Sequence, residues 1–536
     1  MWGSPKPMSS TLPLFAHSVA SFVAAADKVA IAVALAAAAG AKFLATYYVN
    51  VVRWRPHTHR PSTNLPFPLH FVGHMPDRVF LRPCGRSLEA YMGECRRAGE
   101  SCALLHSFAG PVFFPFDRRD AEYILRRGGN FKKARIFDTL ATIFGKMGLF
   151  TQRDDATHSV HRKALTSAFA SDALRVAFDS VITGCALDLV DRVAEIVRPA
   201  PCGGEPRAAV DLEPLVNAYA LKVILAAAFG SLGTCDKANV EFRRMITAFG
   251  NAKQMFIPGG RWILTKAMRD FLASASAVRR LCVAAVEDAK SHETSDDTRR
   301  KLLVDYIADS RRSGLFNDEA VADHIVTFLL AGHETTTTHV MWALYLLAKH
   351  PHVQRELLED LEAAVTIDQM PSLDTLHALT LLNNVHKEAL RLYPPAVGIV
   401  REAAVNEFLP FSQVFVPKGA EVFVSVFCMQ RDPAIWGDDA LEFRPSRFDD
   451  RAFIDEHVGM GGYLPFSHGK RNCIGKDLAQ DESLMAIAVV VRRFRLALPA
   501  NTPAQVALSQ RLTLRPRDPV LLEIYPRAPP STRTGK

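Results

Sequence analysis

The sequence lacks the cysteine pattern of a disulfide-rich protein. Its nine cysteines are an odd number, they show no regular spacing, and no two of them form a C-x-x-C pair. Disulfide frameworks are recognised by an even number of cysteines at short, regular spacings. A disulfide framework is therefore not expected, and the cysteine usage favours a reducing compartment.

A complete H-E-x-x-H motif, the signature of zinc peptidases, is also lacking. The pair His333-Glu334 begins like this motif, but the place of the second histidine is taken by Thr337. His339 lies at the wrong helical phase to replace it. The sequence therefore excludes a zinc peptidase of this type.

A concentrated basic patch is missing as well. The formal net charge of +8 is modest for 536 residues, and much of it lies at the two ends. Nucleic-acid binding needs a basic patch together with a matching motif. Nucleic acid is therefore excluded as a partner, and a membrane surface or an acidic protein fits the charge better. With 49% hydrophobic and 22% charged residues, the chain is globular.

Residues 1–60 contain an apolar run, Val29–Val52, that is about long enough to span a bilayer as a helix. Its only charge is Lys42, near one end, and three arginines soon follow it. Basic residues after a span favour a cytosolic position for the chain beyond. We predict a membrane anchor over 1–60, in the endoplasmic reticulum, with the rest of the chain in the cytosol.

A mitochondrial presequence is the alternative for the amino-terminal segment. Residues 1–26 contain serines and no acidic residue, but Lys6 is their only lysine or arginine. After the anchor, residues 61–74 are rich in proline, and this density predicts a stiff, extended hinge.

The most informative pattern surrounds Cys473. It has the form F-x-x-G-x-R-x-C-x-G, with Phe466, Gly469, Arg471 and Gly475 at the other fixed positions. A thiolate that ligates a metal needs shelter from water, N–H donors to sulfur, and room for a flat cofactor. Glycines give that room. A lone cysteine more often packs in a core, but the flanking pattern favours a ligand.

This pattern resembles the haem-binding loop of the cytochrome P450 superfamily, the haem-thiolate monooxygenases. The resemblance implies that Cys473 is the axial ligand of haem b and that Phe466, Gly469 and Gly475 contact the cofactor. It also implies a mainly α fold with small β-sheets, in which the haem lies between a long central helix and the cysteine loop. The domain is expected over 75–526, with a disordered tail at 527–536.

The central helix is predicted over Asn317–His350, with Asn317 as its cap and Pro351 after its end. Its middle contains glycine and a run of threonines, which are poor helix formers. Threonine hydroxyls there can bond back to carbonyls one turn earlier. A helix that breaks local rules at its middle is a candidate functional site.

The A-G-x-E-T-T segment of this helix resembles the oxygen-binding segment of the family. The resemblance implies that Ala331 and Gly332 let the helix lie close over the haem. It also implies that Glu334 and Thr335 form an acid–alcohol pair that organises water for proton delivery.

A second helix, predicted over Ser372–Tyr393, contains Glu388 and Arg391 on one face. Such a pair alone is usually a solvated surface pair. Arg447 lies in a segment similar to the family's F-x-P-x-R-F. The resemblance implies that the three residues form a buried structural triad behind the cysteine loop.

Haem propionates need cationic donors, and the resemblance assigns this role to Arg471, Arg401 and Arg162. His158 stands where the family usually has tryptophan, four residues before the arginine of the same helix. A histidine can still donate to a carboxylate; the alternative interpretation is a surface polar residue.

Three strands are predicted, over Val112–Phe116, Ala420–Phe427 and Val520–Tyr525. Apolar residues from three segments are the candidate walls of a substrate pocket, and they favour a fatty acid, a sterol or another lipid. These are Ile136, Phe137, Phe144, Phe328, Val397, Ile399 and Val400.

The resemblance therefore predicts a haem monooxygenase that uses O2. No flavin or nicotinamide fingerprint is present, so electrons should come from a separate NADPH-dependent diflavin reductase, or from a ferredoxin if the protein is mitochondrial. Lys470 and Lys476 mark the expected docking face. Two alternatives stay open: a haem-thiolate isomerase or dehydratase acting on peroxides, and a non-catalytic haem sensor.

Overall fold

The structure is a computed structural model that describes residues 102–527, apart from 108–109, 128, 171–180, 198–207, 230–239, 242–243, 246, 249–264, 292–301, 367–368, 459–460 and 511. The predicted anchor at 1–60 and hinge at 61–74 lie outside the described residues, as does the tail after residue 527. Within the described ranges, none of the helices combines the length and the hydropathy that a bilayer crossing requires.

Helices form most of the described chain, and a long helix, α8, runs through the middle of the fold. In chain order they are α1 (Arg118–Arg126), α2 (Ile136–Phe144), α3 (Asp155–Thr166), α4 (Thr183–Ile196), α5 (Glu213–Phe229), α6 (Lys266–Ser291), α7 (Leu303–Arg312), α8 (Asp318–Lys349), α9 (Pro351–Ala364), α10 (Leu373–Ala378), α11 (Thr380–Leu392), α12 (Val426–Met429), α13 (Pro433–Trp436), α14 (Arg451–Phe453) and α15 (Lys476–Arg493). Short 3-10 segments lie at Ser167–Phe169, Pro445–Asp449 and Gly469–Arg471.

The strands of the described ranges form four small sheets. They are β1 (Cys102–Ser107), β2 (Gly110–Pro115), β3 (Phe131–Lys133), β4 (Ala208–Asp211), β5 (Ile399–Ala403), β6 (Glu407–Phe408), β7 (Phe415–Val416), β8 (Glu421–Val424), β9 (Phe494–Ala497), β10 (Leu508–Gln510), β11 (Leu514–Pro516) and β12 (Leu521–Pro526). The largest has the order β1-β2-β8-β5-β3, and a three-stranded sheet has the order β4-β12-β9. The pairs β6-β7 and β10-β11 complete the set, so the predicted mainly α fold with small sheets is confirmed.

Helix α8 confirms the prediction for Asn317–His350 nearly to the residue. The side chain of Asn317 accepts from the backbone N–H of Ala320 at 2.8 Å, which satisfies one of the unpaired donors of the first turn. The single helix predicted over Ser372–Tyr393 is wrong in one respect. It is broken at Leu379 into α10 and α11.

The strand predictions are confirmed in place and differ in length. Strand β2 begins two residues before the predicted Val112, and β12 matches the prediction for Val520–Tyr525 to within one residue. The segment Ala420–Phe427 is a strand only over β8, because the chain turns at Ser425 into α12. The side chain of Ser425 caps that helix by accepting from the backbone N–H of Cys428.

The segment between α2 and α3 lies directly against α8. Gly145 has a φ of +73° and lies so close to Asp323 that a Cβ there would overlap the carboxylate. The fully buried Asp323 accepts from the backbone N–H of Met147 at 2.9 Å and pairs with Arg279 of α6 at 2.7 Å. One buried carboxylate of α8 therefore fixes both the segment after α2 and helix α6.

We predict that Gly145→Ala destabilises the protein more than Gly314→Ala does. Both glycines have a left-handed φ, but a Cβ at Gly314 would meet open space. The left-handed conformation costs each variant roughly 1–2 kcal/mol, and overlap with Asp323 adds about 1–3 kcal/mol at Gly145. Urea unfolding of both variants measures the difference. Equal losses would show that Gly145 does not pack against α8 as described.

Candidate active site

A tight turn presents Cys473. The backbone N–H of Cys473 donates to the carbonyl of Phe466 at 2.9 Å, which closes the loop. Ser467 and Gly469 have left-handed φ values of 62° and 73°. A Cβ at Gly469 would lie 2.5 Å from the carbonyl oxygen of Leu125 in α1. The first glycine of the motif is thus required both by its φ and by its contact with α1.

The thiol of Cys473 is accessible and is not in a disulfide. Although its surface is accessible, the surrounding protein raises the pKa of the thiol, while the N–H of Gly475 and the charges of Arg162 and Lys476 oppose this rise. A group that has accessible surface and is nevertheless enclosed by protein faces a cavity. The opposing groups are the N–H donors and positive charges that a metal-bound thiolate needs.

Helix α8 has one accessible patch. Between Ala320 and Ala348 every residue is buried except Ala331, Gly332 and Thr335. These three lie at positions i, i+1 and i+4 and so share one face of the helix. We call them the open face. The sequence analysis named these three residues together with Glu334 for the haem side of this helix, and Glu334 is buried.

Phe169 links the open face to the cysteine loop. Its ring stacks on Phe328, one turn before the open face, with centroids 5.4 Å apart. The same ring lies 3.5 Å from the position that a Cβ on Gly475 would take. The gap between α8 and the loop is therefore bordered by an aromatic pair.

Five basic side chains lie together at the edge of this region. Burial and the nearby charge of Arg471 lower the pKa values of four of them: Lys133, His158, Arg162 and Arg401. The fifth is Arg471 itself. Burial and Arg471 lower the pKa of Arg401 to about 10, and burial followed by Arg471 lowers that of His158 to about 3. The carboxylate that favours the charged forms of Lys133 and Arg401 is Asp155.

The pairing of β3 with β5 brings two of these basic side chains together. Lys133 in β3 stands directly opposite Arg401 in β5, and both side chains are buried. Like charges directly opposite in a sheet destabilise it, and a buried charge needs a partner. The pair therefore calls for an anion on its face of the sheet.

The other basic residues have defined contacts. Arg471 donates to the carboxylate of Asp155 at 3.0 Å and to the carbonyl of Gln152 at 2.6 Å. Arg162 donates to both the carbonyl and the side-chain oxygen of Asn472 at 2.7 Å, and so holds the residue before Cys473. His158 is 4% exposed. Its alternative interpretation as a surface polar residue is wrong.

Lys133 was missed by the sequence analysis. Its ammonium group lies 3.7 Å from the ring centroid of Phe137 and 4.9 Å from that of Phe150. The sequence shows only two adjacent lysines, Lys132 and Lys133, and neither carries a motif. The alternation of β3 turns one outward and the other inward, but this strand was not predicted.

Glu334 and Thr335 are adjacent in sequence but have different surroundings. The Thr335 hydroxyl, on the open face, donates to the carbonyl of Ala331 at 2.7 Å. The carboxylate of Glu334 is buried, where it accepts from Thr513 at 3.0 Å and from Arg515 at 2.6 Å. The structure thus brings Thr335, but not the carboxylate of Glu334, to the open face.

The three residues predicted to form a triad lie together and are all buried. Arg391 donates two hydrogen bonds to Glu388, at 2.7 and 2.8 Å. Arg447 is 3.5 Å from Glu388 but only 2.9 Å from Asp439, whose pKa it lowers. Asp439 is thus a fourth member that the sequence analysis did not identify.

The remaining hydrogen bonds of Arg391 connect this group to the cysteine loop. It donates to the carbonyls of Gln430 and Ala440 at 2.7 and 2.6 Å. The side chain of Gln430 in turn accepts from the backbone N–H of Leu464 at 2.8 Å. Leu464 precedes Phe466 by two residues. The buried ion pair therefore positions the entry to the loop.

The candidate pocket residues divide into two groups. Three of them are buried and pack in the interior: Phe137, Phe144 and Phe328. Four retain accessible surface and are available to line a cavity: Ile136, Val397, Ile399 and Val400.

Comparisons with known proteins agree with this site. The sequence model of the cytochrome P450 family matches residues 64–523. The chain belongs to the cytochrome P450 family. As a member of it, the protein is a haem-dependent monooxygenase that receives electrons from a reductase partner and acts on an apolar substrate.

Individual relatives are distant. The chain is 29% identical to a cytokinin hydroxylase of Arabidopsis thaliana over 392 residues, 71% of this chain and 72% of that protein. It is 31% identical to cytochrome P450 734A5 of Oryza sativa subsp. japonica over 361 residues, 64% of each chain. It is 27% identical to an echinocystic acid 23-monooxygenase of Saponaria officinalis over 374 residues, 67% of this chain and 69% of that protein.

The residues present fit a haem. An accessible thiol in an enclosing loop suits the iron, and the open face of α8 leaves room for a flat group. The buried basic cluster, which includes the opposed pair Lys133 and Arg401, suits two carboxylates. Cys473 would hold the iron, and the basic cluster would hold the propionates.

We predict that Lys133→Gln weakens haem retention while Lys132→Gln does not. Lys132 is the matched control because it is the next residue and is 42% exposed, paired with Glu402. A hydrogen bond to a charged group contributes about 1.5–3 kcal/mol, which corresponds to a roughly 10- to 100-fold faster haem loss. The rate of haem transfer from each variant to apomyoglobin measures the rate of haem loss. Equal rates for the two variants would remove Lys133 from the propionate site.

We also predict that Arg391→Met destabilises the protein by about 3–5 kcal/mol, because it leaves Glu388 as a buried, unpaired charge. Arg444→Met is the control. Arg444 pairs with Asp439 at 3.0 Å but is 53% exposed, so its loss should cost no more than about 1 kcal/mol. Thermal unfolding of both variants distinguishes the two cases. Similar losses of stability in the two variants would show that burial of the Glu388–Arg391 pair does not determine how much it stabilises the protein.

Proposed function

We propose that this enzyme is anchored in the endoplasmic reticulum membrane and hydroxylates an apolar lipid, a fatty acid or a sterol. The observation that carries the proposal is the open face of α8, which has a hydroxyl, Thr335, as its polar group. Partly accessible aliphatic side chains near β5 supply apolar walls: Val397, Ile399 and Val400. Burial of apolar substrate surface there would supply the binding free energy.

Haem b, when bound, supplies the oxygen-activating chemistry that thiolate ligation favours. The residues of this chain bind the cofactor and orient it. Cys473 provides the sulfur ligand, and Gly475 and Arg162 favour its anionic form. Thr335 holds a proton at its Oγ1 on the open face. The carboxylate of Glu334, which the resemblance pairs with this hydroxyl, is instead held by Thr513 and Arg515.

Electrons are proposed to come from an NADPH-dependent diflavin reductase. Lys470 and Lys476, on either side of Cys473 in sequence, are exposed and give the expected docking face its positive charge. A ferredoxin would be the partner if the protein is mitochondrial. Oxygen uptake driven by NADPH and each reductase system in turn identifies the partner.

The two alternative functions are tested by the same assays. An isomerase or dehydratase would turn over lipid peroxides without a reductase, and a sensor would consume neither peroxide nor NADPH. We expect NADPH-dependent oxygen uptake with reductase present. A screen of fatty acids and sterols by shift of the haem absorption band then identifies the substrate class. Peroxide turnover alone would replace the proposal by the first alternative.

We predict that Thr335→Ala lowers the amount of product formed per NADPH on the order of 10-fold or more, because the open face loses its hydroxyl. Thr337→Ala is the matched control. Its hydroxyl makes the same 2.7 Å bond to the carbonyl one turn earlier, but it is fully buried. Product and NADPH measured together give the ratio. Full coupling in Thr335→Ala would remove this residue from proton delivery.

A further inference from the structure

Arg162 makes contacts that differ from those that the resemblance implies for it. The resemblance assigns Arg162 to a propionate, but its side chain turns to the cysteine loop. Its Nη1 donates to the carbonyl oxygen of Asn472 at 2.7 Å, and its Nη2 donates to Oδ1 of the same residue at 2.7 Å. Within the described ranges, the guanidinium group makes no other hydrogen bond. The planar fork of an arginine thus fixes the residue that precedes Cys473.

Arg162 also differs from other members of the basic cluster in its charge partner. Arg471 donates to Asp155 at 3.0 Å, and the same carboxylate favours the charged form of Arg401. Burial lowers the pKa of Arg162, and Cys473 is the group that opposes this fall. Burial raises the pKa of the Cys473 thiol, and the charge of Arg162 opposes that rise in turn. The positive charge of Arg162 therefore acts on the sulfur.

Helix α3 and the 3-10 segment after it contact the cysteine loop on both sides of Cys473. Arg162 in α3 holds Asn472, directly before the cysteine. The ring of Phe169 in the 3-10 segment lies 3.5 Å from the position that a Cβ on Gly475 would take, two residues after the cysteine. A charge that is held in place acts on its neighbour without any reorganisation of the protein. Arg162 is held in place in this sense.

We propose that Arg162 is a positioning residue that fixes Asn472 beside Cys473 and raises the reduction potential of the iron that Cys473 would hold. Reduction adds one negative charge to the iron and its sulfur ligand. A cation near the sulfur stabilises this more negative state relative to the oxidised state. The propionates are then bound by other members of the basic cluster, Lys133 and Arg401 among them. The inference goes beyond the proposed function, because it holds for any substrate.

The reduction potential of the holoprotein, measured by equilibration with redox dyes, is the first test. Arg162→Met should shift the one-electron equilibrium about tenfold toward the oxidised protein, which corresponds to a potential about 59 mV lower. Lys163→Met is the matched control, because it removes the same charge from the next residue, which is exposed to solvent. Its equilibrium should move by less than about twofold. An unchanged potential in Arg162→Met would overturn the proposal.

A conservative variant and a partner variant separate the charge from the fold. Arg162→Lys keeps the positive charge but not the fork, so it should recover most of the shift. If its potential equals that of Arg162→Met, the charge does not act on the iron and the proposal fails. Where Arg162→Met does not fold, Asn472→Ala removes one of the two acceptors and leaves the arginine in the chain. It should shift the equilibrium in the same direction by about twofold or more, and a wild-type potential would contradict the proposal.

The rate of haem transfer to apomyoglobin separates this role from propionate binding. Arg162→Met should lose haem at a rate within about threefold of the wild type, while Lys133→Gln loses it roughly 10- to 100-fold faster. A loss as fast as that of Lys133→Gln would assign Arg162 to the propionates and overturn the proposal.

These measurements use neither substrate nor reductase. If the protein hydroxylates no lipid but Arg162→Met lowers the potential, the proposed function fails while the role of Arg162 stands. If the protein hydroxylates a lipid and the potential of Arg162→Met is unchanged, only the role of Arg162 is overturned.

Discussion

The rest of the site depends on a cluster of positive charges that the protein buries. Lys133 and Arg401 stand opposite one another in the sheet, and Arg471 and Arg162 approach from the cysteine loop and α3. Asp155 is the carboxylate that favours the charged forms of Lys133 and Arg401 and accepts from Arg471. Such a cluster is expensive unless an anion completes it. A cofactor with two carboxylates would do so, and Cys473 would hold its iron.

Two buried ion pairs support this site at separate places. Glu388 and Arg391 fix the segment that enters the cysteine loop, through Gln430. Arg515 holds Glu334 on α8. Both pairs are costly to break because one partner would remain as a buried charge, so the loop and the helix are held in fixed positions.

Much of this could be predicted from the sequence where function forces a local pattern. The turn around Cys473 needs glycine at a left-handed position, and α8 has a clear cap at Asn317. Contacts between distant segments could not be predicted. Lys133 acquires its role from pairing with a strand nearly 270 residues later, and Arg515 reaches Glu334 from the far end of the chain. The break at Leu379 likewise carries no glycine or proline to mark it.

The central claim is that Cys473 is the iron ligand of a haem held by the buried basic cluster. The absorption spectrum of the reduced, carbon-monoxide-bound protein tests it most directly, because the position of the main haem band reports the nature of the axial ligand. Thiolate ligation predicts a strongly red-shifted band that is lost in Cys473→His. A histidine-type spectrum in the wild-type protein, or an unchanged red-shifted band in Cys473→His, would contradict the account.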